Sequence, residues 1–299
     1  MASRPRSTES VVVPLFDDED AFEIEALPMG GQSFITQTMQ QAPVAGPVAD
    51  LNSMLKLLVT IGSGGVGKTT YLRWGVDYML DAGRTPYTAA IDPINRDFRN
   101  FYDVIEPKGN HPTVVMEFLK RLIGAIVQKK SSYLLDTGGG DTAFGQLIGS
   151  WPTLVDDLAE EGIAMVAIYL FSPRPADVTI LSMLEDAGFK PKATALILNE
   201  GRVEPGRDPD QEFAELRRQT AYREALARGA VELRMPGLDV AKKVQDRMLT
   251  FTQALKAGRT TADGKTIPGL GWSDRRILQA WLARMRVAMG PIIDAGWIP

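Results

Sequence analysis

Residues 62–70, Gly-Ser-Gly-Gly-Val-Gly-Lys-Thr-Thr, carry the clearest chemical signature of the chain. Gly62, Gly67, Lys68 and Thr69 fit the Gly-x-x-x-x-Gly-Lys-Thr pattern, in which glycines let successive backbone N–H groups point at phosphate oxygens. The lysine is predicted to bridge the β and γ phosphates of a nucleotide, and the threonine hydroxyl to bind Mg²⁺. The predicted nucleotide-binding residues of this loop are Gly64, Gly65, Val66, Gly67, Lys68, Thr69 and Thr70.

A second Mg²⁺ ligand must come from the end of a neighbouring strand, and Asp136 is the candidate. It follows the apolar run Tyr133–Leu135 and precedes Gly138–Gly140, where a backbone amide can approach and leave a γ phosphate. An aspartate that caps the next helix is the alternative. Asp92, after another strand, is predicted to orient the attacking water, with a simple turn as its alternative. The predicted catalytic residues are Lys68, Asp92 and Asp136, and the predicted metal ligands are Thr69 and Asp136.

These groups need a scaffold that brings strand ends together. Short apolar strands alternate with amphipathic helices, which indicates an α/β fold: a doubly wound, mostly parallel sheet with helices on both faces. Such sheets bind ligands at the carboxyl ends of their strands. An incidental glycine-rich turn at residues 62–70 is disfavoured, because a strand and a helix flank it. The predicted strands are Leu57–Ile61, Tyr87–Ile91, Tyr133–Leu135, Ile163–Phe171, Ala193–Leu198 and Val231–Met235.

The periodicity also predicts how the chain divides. Residues 1–50 lack sustained periodicity and are predicted to form a flexible acidic tail, residues 51–257 the P-loop domain, and residues 258–299 a loop and a C-terminal helix packed on that domain. Pro291 should end that helix. Besides the helix that follows residues 62–70, the predicted helices are Val114–Gln128, Leu154–Glu160, Ala176–Ala187, Glu212–Arg228, Val240–Lys256 and Ser273–Met289.

Composition excludes several kinds of chemistry. The chain has 299 residues, of which 44% are apolar, so it can bury a sizeable core. It has no cysteine and a single histidine, which excludes disulfides, thiolate metal sites and cysteine nucleophiles. No apolar stretch approaches the length of a membrane span and no signal peptide is recognisable, so a cytoplasmic location is expected. The net charge is −4, and residues 1–50 carry eight acidic residues and two arginines.

The run Ser63–Thr70, with Asp92-Pro93 placed 24 residues after Lys68, resembles the MinD/ParA class of P-loop ATPases, which have a deviant Walker A loop. The resemblance covers roughly residues 56–257. It implies that ATP and Mg²⁺ are the cofactors, that Asp92 assists hydrolysis, that Asn199 contacts adenine and that Pro236 lies on the base. The run Asp92–Asn95 with Phe98, Tyr102, Asp136 and Gly138 is similar to the TraL/StbB-type ATPases of conjugative plasmids.

One position departs from that class. Its members carry a signature lysine just before the glycine pair, which reaches across a dimer to the partner's nucleotide, and here that position is Ser63. Loss of the charge should weaken both hydrolysis and an ATP-dependent homodimer, because charges aimed at a transferring phosphoryl group are a main source of rate. The expected outcome is slow turnover, or a signature role taken by another cation. The candidate cations near strand ends are Arg96, Arg99, Arg174 and Arg202.

Basic residues on the C-terminal helices point to a nucleic-acid partner. Together they can bind DNA phosphates without sequence preference, as the resemblance implies, although ordinary solvated helix faces have the same composition. These residues are Arg217, Arg218, Arg223, Arg228, Lys242, Lys243 and Arg247. The last predicted helix has one apolar face, which is expected to pack on its own domain; contact with an anionic membrane surface is the alternative.

The residues and the resemblance together predict a cytoplasmic ATPase that hydrolyses slowly and switches between partner-bound and free states. Its expected role is plasmid partition, conjugal transfer or intracellular positioning, with an adaptor or a conjugation or partition protein as partner. An ATP-dependent metabolic ligase or small-molecule kinase on the same scaffold is one alternative, although no acid or base cluster outside the nucleotide site indicates a substrate pocket. A nucleotide-binding assembly factor with negligible hydrolysis is the other, and Ser63 is consistent with it.

Overall fold

The computed structural model describes residues 48–91, 98–138, 142–261 and 263–299, all of which belong to the unit Gln41–Pro299. The tail predicted over residues 1–50 therefore lies almost wholly outside the described residues. In the described part of the chain, no helix has the length and apolar character needed to cross a membrane.

A six-stranded parallel sheet positions the residues of interest. Every neighbouring pair of strands is parallel, and their order across the sheet is Tyr87–Ala90, Tyr133–Asp136, Leu55–Ile61, Ile163–Phe171, Ala193–Asn199 and Val231–Met235. Because helices cover both faces, the strands are near-continuous apolar runs, and all nine residues of the longest strand are buried. The predicted doubly wound α/β fold is confirmed. The strands are β1 Leu55–Ile61, β2 Tyr87–Ala90, β3 Tyr133–Asp136, β4 Ile163–Phe171, β5 Ala193–Asn199 and β6 Val231–Met235.

Helices pack on the two faces of this sheet and bury two apolar layers. Alternate residues of β1 belong to opposite layers: Val59 is in the layer that contains Phe118 and Leu181, whereas Leu58 is in the layer that contains Trp74 and Phe251. The helices are α1 Lys68–Asp81, α2 Pro112–Lys129, α3 Thr142–Ser150, α4 Leu154–Glu160, α5 Thr179–Asp186, α6 Pro209–Glu212, α7 Ala214–Arg218, α8 Thr220–Ala227, α9 Ala241–Asp246, α10 Phe251–Leu255, α11 Trp272–Ala288 and α12 Gly290–Asp294.

The structure contains elements that the sequence pattern does not predict. Helix α3 has only nine residues and includes two glycines, which weaken its helical signal. The predicted loop 258–271 contains a hairpin of two-residue strands, β7 Arg259–Thr260 and β8 Thr266–Ile267, too short to show alternation. The helix predicted over Ala176–Ala187 begins as a 3₁₀ turn, Pro175–Val178, before α5.

The predicted helix Glu212–Arg228 is wrong as a single element, because the chain divides it between α6, α7 and α8. Gln219 is extended, with φ −62° and ψ 137°, and separates α7 from α8. Leu216 and Tyr222 on either side of it are both fully buried. In one continuous helix these residues, six apart, would point about 120° apart. The extended residue lets both side chains face the same core.

The predicted helix Val240–Lys256 is also wrong as a single element, since α9 and α10 are separate. Met248 has a φ of 49°, a left-handed conformation that ends α9, and the Leu249 N–H donates to the Val244 carbonyl across this end. Thr250 then caps α10 in a reciprocal capping box with Gln253. The two short helices place Val244 and Phe251 in the same apolar layer.

Helix α11 packs its apolar face on the domain. Leu278, Trp281, Met285 and Met289 are completely buried on this face. The helix ends at Ala288, and Pro291 lies in the first turn of the short helix α12 that follows. These four apolar side chains are thus inside the structure, whereas Ile277 on the same helix is 37% exposed.

Candidate nucleotide-binding site

The glycine loop lies between β1 and α1, as its sequence pattern predicts. Gly65 and Gly67 have φ values of 77° and 107°, in the left-handed region that favours glycine. A Cβ atom at Gly67 would lie 2.4 Å from Asn199 Nδ2, and one at Gly62 would lie 2.6 Å from the Leu170 carbonyl oxygen. These two glycines therefore let the loop run against its neighbours, whereas Gly64 has open space around its Cβ position.

Lys68 starts α1 and holds the loop together. Its Nζ donates to the carbonyls of Gly62, at 2.7 Å, and Ser63, at 3.1 Å, and the side chain is buried. Gly67 is the N-cap and supplies no side-chain acceptor, so the first backbone N–H groups of α1 lack a cap from that residue. An anion site can be built from uncapped N–H groups, the positive end of a helix dipole and a lysine. The start of α1 has all three.

Thr69 and Asp136 meet beside this loop because β1 and β3 are adjacent in the sheet. The parallel register places Thr60, near the end of β1, opposite Asp136, at the end of β3. Thr69 Oγ1 lies 3.5 Å from Asp136 Oδ2, and Thr60 Oγ1 donates to Asp136 Oδ1 at 3.3 Å. A hydroxyl and a carboxylate oxygen suit Mg²⁺, a hard cation that takes few protein ligands and completes its shell with water and phosphate.

The chain has a P-loop nucleotide-binding fold. The strand, glycine loop and helix occur in the expected order, and an acidic strand end lies against the loop threonine. The described residues contain no cluster of three or more acidic or histidine side chains that could hold a metal ion. Asp136 does not cap α3, which starts six residues later at Thr142.

Asp92, the predicted catalytic residue, lies outside the described residues, as do Pro93, Asn95 and Arg96. The chain that follows is fixed to α1. Phe98 is buried and packs on Tyr102, with ring centroids 5.5 Å apart. Tyr102 donates its hydroxyl to Asp77 Oδ1 at 2.9 Å, and burial raises the pKa of that carboxyl. Phe98 and Tyr102, the two aromatic residues that support the resemblance, thus attach residues 98–102 to the helix that begins at Lys68.

Asn199, predicted to contact adenine, ends β5 beside the glycine loop. Its Nδ2 donates to the Val66 carbonyl at 2.7 Å, and its Oδ1 accepts the Gly201 N–H at 3.0 Å. The side chain is 4% exposed. We call residues 199–202 the β5 turn. The asparagine amide therefore connects this turn to the phosphate loop.

Pro236, predicted to lie on the base, follows β6 in a segment of residues 235–238 that we call the β6 segment. Its carbonyl accepts the indole N–H of Trp281 in α11 at 2.8 Å. Gly237 packs on the β5 turn, since a Cβ there would lie 3.2 Å from Gly201 Cα. The β5 turn and the β6 segment are thus in contact with each other, and Trp281 of α11 is hydrogen-bonded to the β6 segment.

Three of the four arginines that could replace the missing signature lysine are described by the structure, and their surroundings differ. Arg174 Nε donates to Ser172 Oγ and its Nη2 to Asp177 Oδ1, both at 3.1 Å, within its own loop. Arg99 pairs with Glu106 at 3.4 Å. Arg202, the last residue of the β5 turn, lies beside the phosphate loop, with Nη2 3.9 Å from the Cβ position of Gly65.

Most of the basic residues predicted to bind DNA have partners within the chain. Arg217 pairs with Glu232 at 2.6 Å and Asp210 at 2.9 Å, and Lys243 pairs with Asp274 at 2.9 Å. The further contacts are those of Arg218 with Glu215, Arg228 with Glu185, and Arg247 with the Gly269 carbonyl. Arg223 and Lys242 are exposed and have no such partner among the described residues.

Several supporting residues carry no signal that sequence reasoning could use. Thr60 and Thr137 cross-link the ends of β1 and β3, because the Thr137 hydroxyl donates to the Thr60 carbonyl at 2.7 Å. Trp281 supports the β6 segment from 45 residues away along the chain. These partners depend on strand order and on the placement of α11, which local periodicity does not determine.

The comparisons with known proteins add little to this geometry. No protein-family model and no curated protein matches the chain. Among solved structures it is similar to FtsY from Mycoplasma mycoides, with 16% sequence identity and a TM-score of 0.38, over 80% of this chain and 71% of that chain. A likeness at this level carries no functional argument. The fold assignment depends on the strand order and the loop geometry described above.

Proposed function

We propose that this chain is a Mg-ATP-binding switch ATPase of the MinD/ParA type that hydrolyses ATP slowly. The contact between Thr69 and Asp136 beside the glycine loop carries the proposal. It brings the two oxygen ligands of a predicted Mg²⁺ site next to the amides and lysine of a predicted phosphate site. An incidental glycine-rich turn would not require an acidic strand end at this position.

Each group at the predicted nucleotide site has a proposed role. Backbone N–H groups of Gly64–Thr70 would bind phosphate oxygens, and Lys68, whose Nζ donates to the Gly62 and Ser63 carbonyls, would supply the positive charge for the β and γ phosphates. Thr69 and Asp136 hold Mg²⁺, which would neutralise charge on the β and γ phosphates. By the resemblance, Asp92 orients the attacking water. Ser63 adds no positive charge, so we expect slow turnover.

The proposal of ATP as the nucleotide comes from the resemblance at Asn199 and Pro236. The β5 turn is consistent with it. Guanine presents two neighbouring N–H donors, which a free carboxylate recognises well. The acid of this turn, Glu200, pairs with Arg234 at 3.6 Å, and burial raises the pKa of its carboxyl. This carboxylate is therefore engaged within the protein.

The cellular role remains a proposal from the resemblance: plasmid partition, conjugal transfer or intracellular positioning in the cytoplasm. An ATP-dependent homodimer and an adaptor, conjugation or partition protein would be its partners. For DNA, the ion pairs of the basic residues leave few cations for phosphate contacts and predict weak, non-specific binding that decreases as the salt concentration rises. ATPase activity stimulated by bulk DNA at low salt would support this role. Tight ATP binding without turnover would favour the assembly factor, which Ser63 also allows.

Calorimetry on the purified full-length protein tests the proposed function. We expect uptake of Mg-ATP in preference to Mg-GTP, and loss of uptake in Lys68→Ala because the phosphates lose their buried cation. Asp136→Asn should retain some nucleotide binding but lose its dependence on Mg²⁺. Thermal unfolding of each variant shows whether it is folded. Absence of adenine-nucleotide uptake by the folded wild-type protein would overturn the proposal.

Hydrolysis gives a separate test of Asp92. Asp92→Ala should bind Mg-ATP as the wild-type protein does and release phosphate more slowly, because the carboxylate is assigned to the attacking water. Phosphate release under single-turnover conditions measures this step. Normal hydrolysis by the variant would remove Asp92 from the mechanism without affecting the nucleotide-binding assignment.

A further inference from the structure

The missing charge at Ser63 raises the question of which cation faces the nucleotide. We propose that Arg202 contacts the phosphates of the bound nucleotide within the same chain, and that Asn199 positions Arg202 by attaching the β5 turn to the phosphate loop. The inference rests on the proposed function and assigns a further binding residue to the same site.

The first observation is the connection through Asn199. Its buried carboxamide donates to the Val66 carbonyl at 2.7 Å and accepts the Gly201 N–H at 3.0 Å. One side chain thus bonds both the phosphate loop and the residue before Arg202. Because a buried amide that loses its partners costs free energy, the two segments are held at a fixed separation.

The second observation is the contact on the opposite side of the turn. A Cβ at Gly201 would lie 3.1 Å from Gly237 Cα, and also 3.1 Å from Asn199 Oδ1. Any larger residue would push the turn away from the β6 segment. The backbone at Gly201 therefore contacts both Asn199 and Gly237, which fixes the position from which the Arg202 side chain begins.

The third observation is the position of the Arg202 guanidinium. Its Nη2 is 3.9 Å from the Cβ position of Gly65, a loop residue with φ 77° and an exposed surface. Arg202 is exposed and forms no ion pair or hydrogen bond with the described residues, whereas Arg99 and Arg174 are each held by an acid. The guanidinium is thus a cation beside the predicted phosphate site without a competing acidic partner there.

The Arg202 guanidinium and a nucleotide phosphate are chemically complementary. A guanidinium presents parallel N–H donors that match two phosphate oxygens and keeps its charge at any physiological pH. Bonds of this kind are among the stronger ones in proteins, so removal of one should weaken nucleotide binding about ten- to a hundredfold. The effect should be larger for ATP than for AMP, because AMP lacks the β and γ phosphates.

The experiment compares Arg202→Ala and Arg202→Lys with Arg207→Ala in the full chain. Arg207 is a matched control, because it is exposed, lies five residues further along and, among the described residues, has Glu204 as its one ion-pair partner, at 4.0 Å. Calorimetry with Mg-ATP, Mg-ADP and AMP gives the affinities. We expect a loss of ten- to a hundredfold for ATP in Arg202→Ala, partial recovery in Arg202→Lys and no change in Arg207→Ala.

Asn199→Ala tests the positioning role. It should weaken binding of inorganic triphosphate, which lacks the base that Asn199 is proposed to contact, by less than Arg202→Ala. The double variant should bind triphosphate no more weakly than Arg202→Ala alone, because Asn199 acts on the phosphates through Arg202. Additive losses would overturn the positioning role. Thermal unfolding separates an unfolded variant from a folded one that binds weakly.

Two results would overturn the assignment of Arg202. One is equal ATP affinity in Arg202→Ala and Arg207→Ala while the wild-type protein binds normally. The other is recovered hydrolysis when Arg202→Ala is mixed with Lys68→Ala, since this would show that Arg202 acts on a partner's nucleotide. Failure of the wild-type protein to bind any nucleotide would instead overturn the proposed function itself.

Discussion

The phosphate loop and the β5 turn flank the same site but are supported differently. The loop is one continuous stretch, residues 62–70, and most of what it needs lies within it: glycines, a lysine and a helix start. The β5 turn depends on Asn199, on Gly237 and, through the Pro236 carbonyl, on Trp281. Damage at a distance should therefore affect the β5 turn and leave the phosphate loop largely intact.

Removal of the Trp281 side chain tests this difference most strongly. Trp281→Ala deletes a fully buried indole and its hydrogen bond to Pro236, so the free energy of unfolding should fall by about 3–5 kcal/mol. If the protein stays folded, ATP affinity should fall more than affinity for inorganic triphosphate, because triphosphate can lose only the contact with Arg202, whereas ATP also loses the proposed base contacts of Asn199 and Pro236. Denaturant unfolding and calorimetry measure the two effects.

Trp272→Ala is the matched control for that variant. Trp272 starts the same helix, and 70% of it is exposed, so its removal should change stability by less than about 0.5 kcal/mol. Equal losses of ATP and triphosphate affinity in Trp281→Ala would show that the two sides of the site are not supported separately.

The same difference explains what the sequence could predict. The strands β4 and β6 and the loop glycines agree with the sequence pattern, because buried parallel strands are continuous apolar runs and the loop is a local motif. The sequence pattern does not separate α7 from α8, because the break at Gln219 depends on how Leu216 and Tyr222 pack in the folded core. Contacts such as Asn199 with Val66 join residues 133 apart and follow from strand order.

Gly67→Ala acts where the loop and the turn meet. Its methyl group would lie 2.4 Å from Asn199 Nδ2 and would occupy a left-handed conformation, so we expect a loss of about 1–3 kcal/mol of stability. Nucleotide affinity should fall as well, because both segments must shift. Gly64→Ala is the control: its Cβ position meets nothing within 4 Å. Equal behaviour of the two variants in calorimetry and unfolding would contradict the close contact.

Ser63→Lys restores the charge that the resemblance leads one to expect in the phosphate loop. A lysine here should raise the ATPase rate about tenfold, roughly 1.4 kcal/mol in barrier height, by stabilising charge on the transferring phosphoryl group. Ser63→Gln provides a side chain of similar reach without charge and should leave the rate unchanged. A gain in both variants would assign the effect to side-chain size, and a gain in neither would show that the loop position does not limit turnover.

Asp210→Asn should have the smallest effect, in the helical part beyond the β5 turn. Hydrogen bonds from Arg217, then from Arg234, hold the pKa of Asp210 below its ordinary value. Because the folded-state pKa is the lower one, the stabilisation is complete above about pH 4 and is lost as the pH falls through the folded-state pKa. The carboxylate is 59% exposed, so the variant should lose less than about 1 kcal/mol at pH 7.

Urea unfolding at pH 7 and at pH 3 measures this effect, and Glu212→Gln on the same short helix is the control. The difference between Asp210→Asn and the wild-type protein should shrink at the lower pH, because protonation of Asp210 already weakens its pairs with both arginines. ATP affinity should be unchanged in either variant, since Arg234 keeps its pair with Glu200. A loss of ATP affinity in Asp210→Asn alone would show that this network reaches the β5 turn, so the turn's support would extend further than Asn199, Gly237 and Trp281.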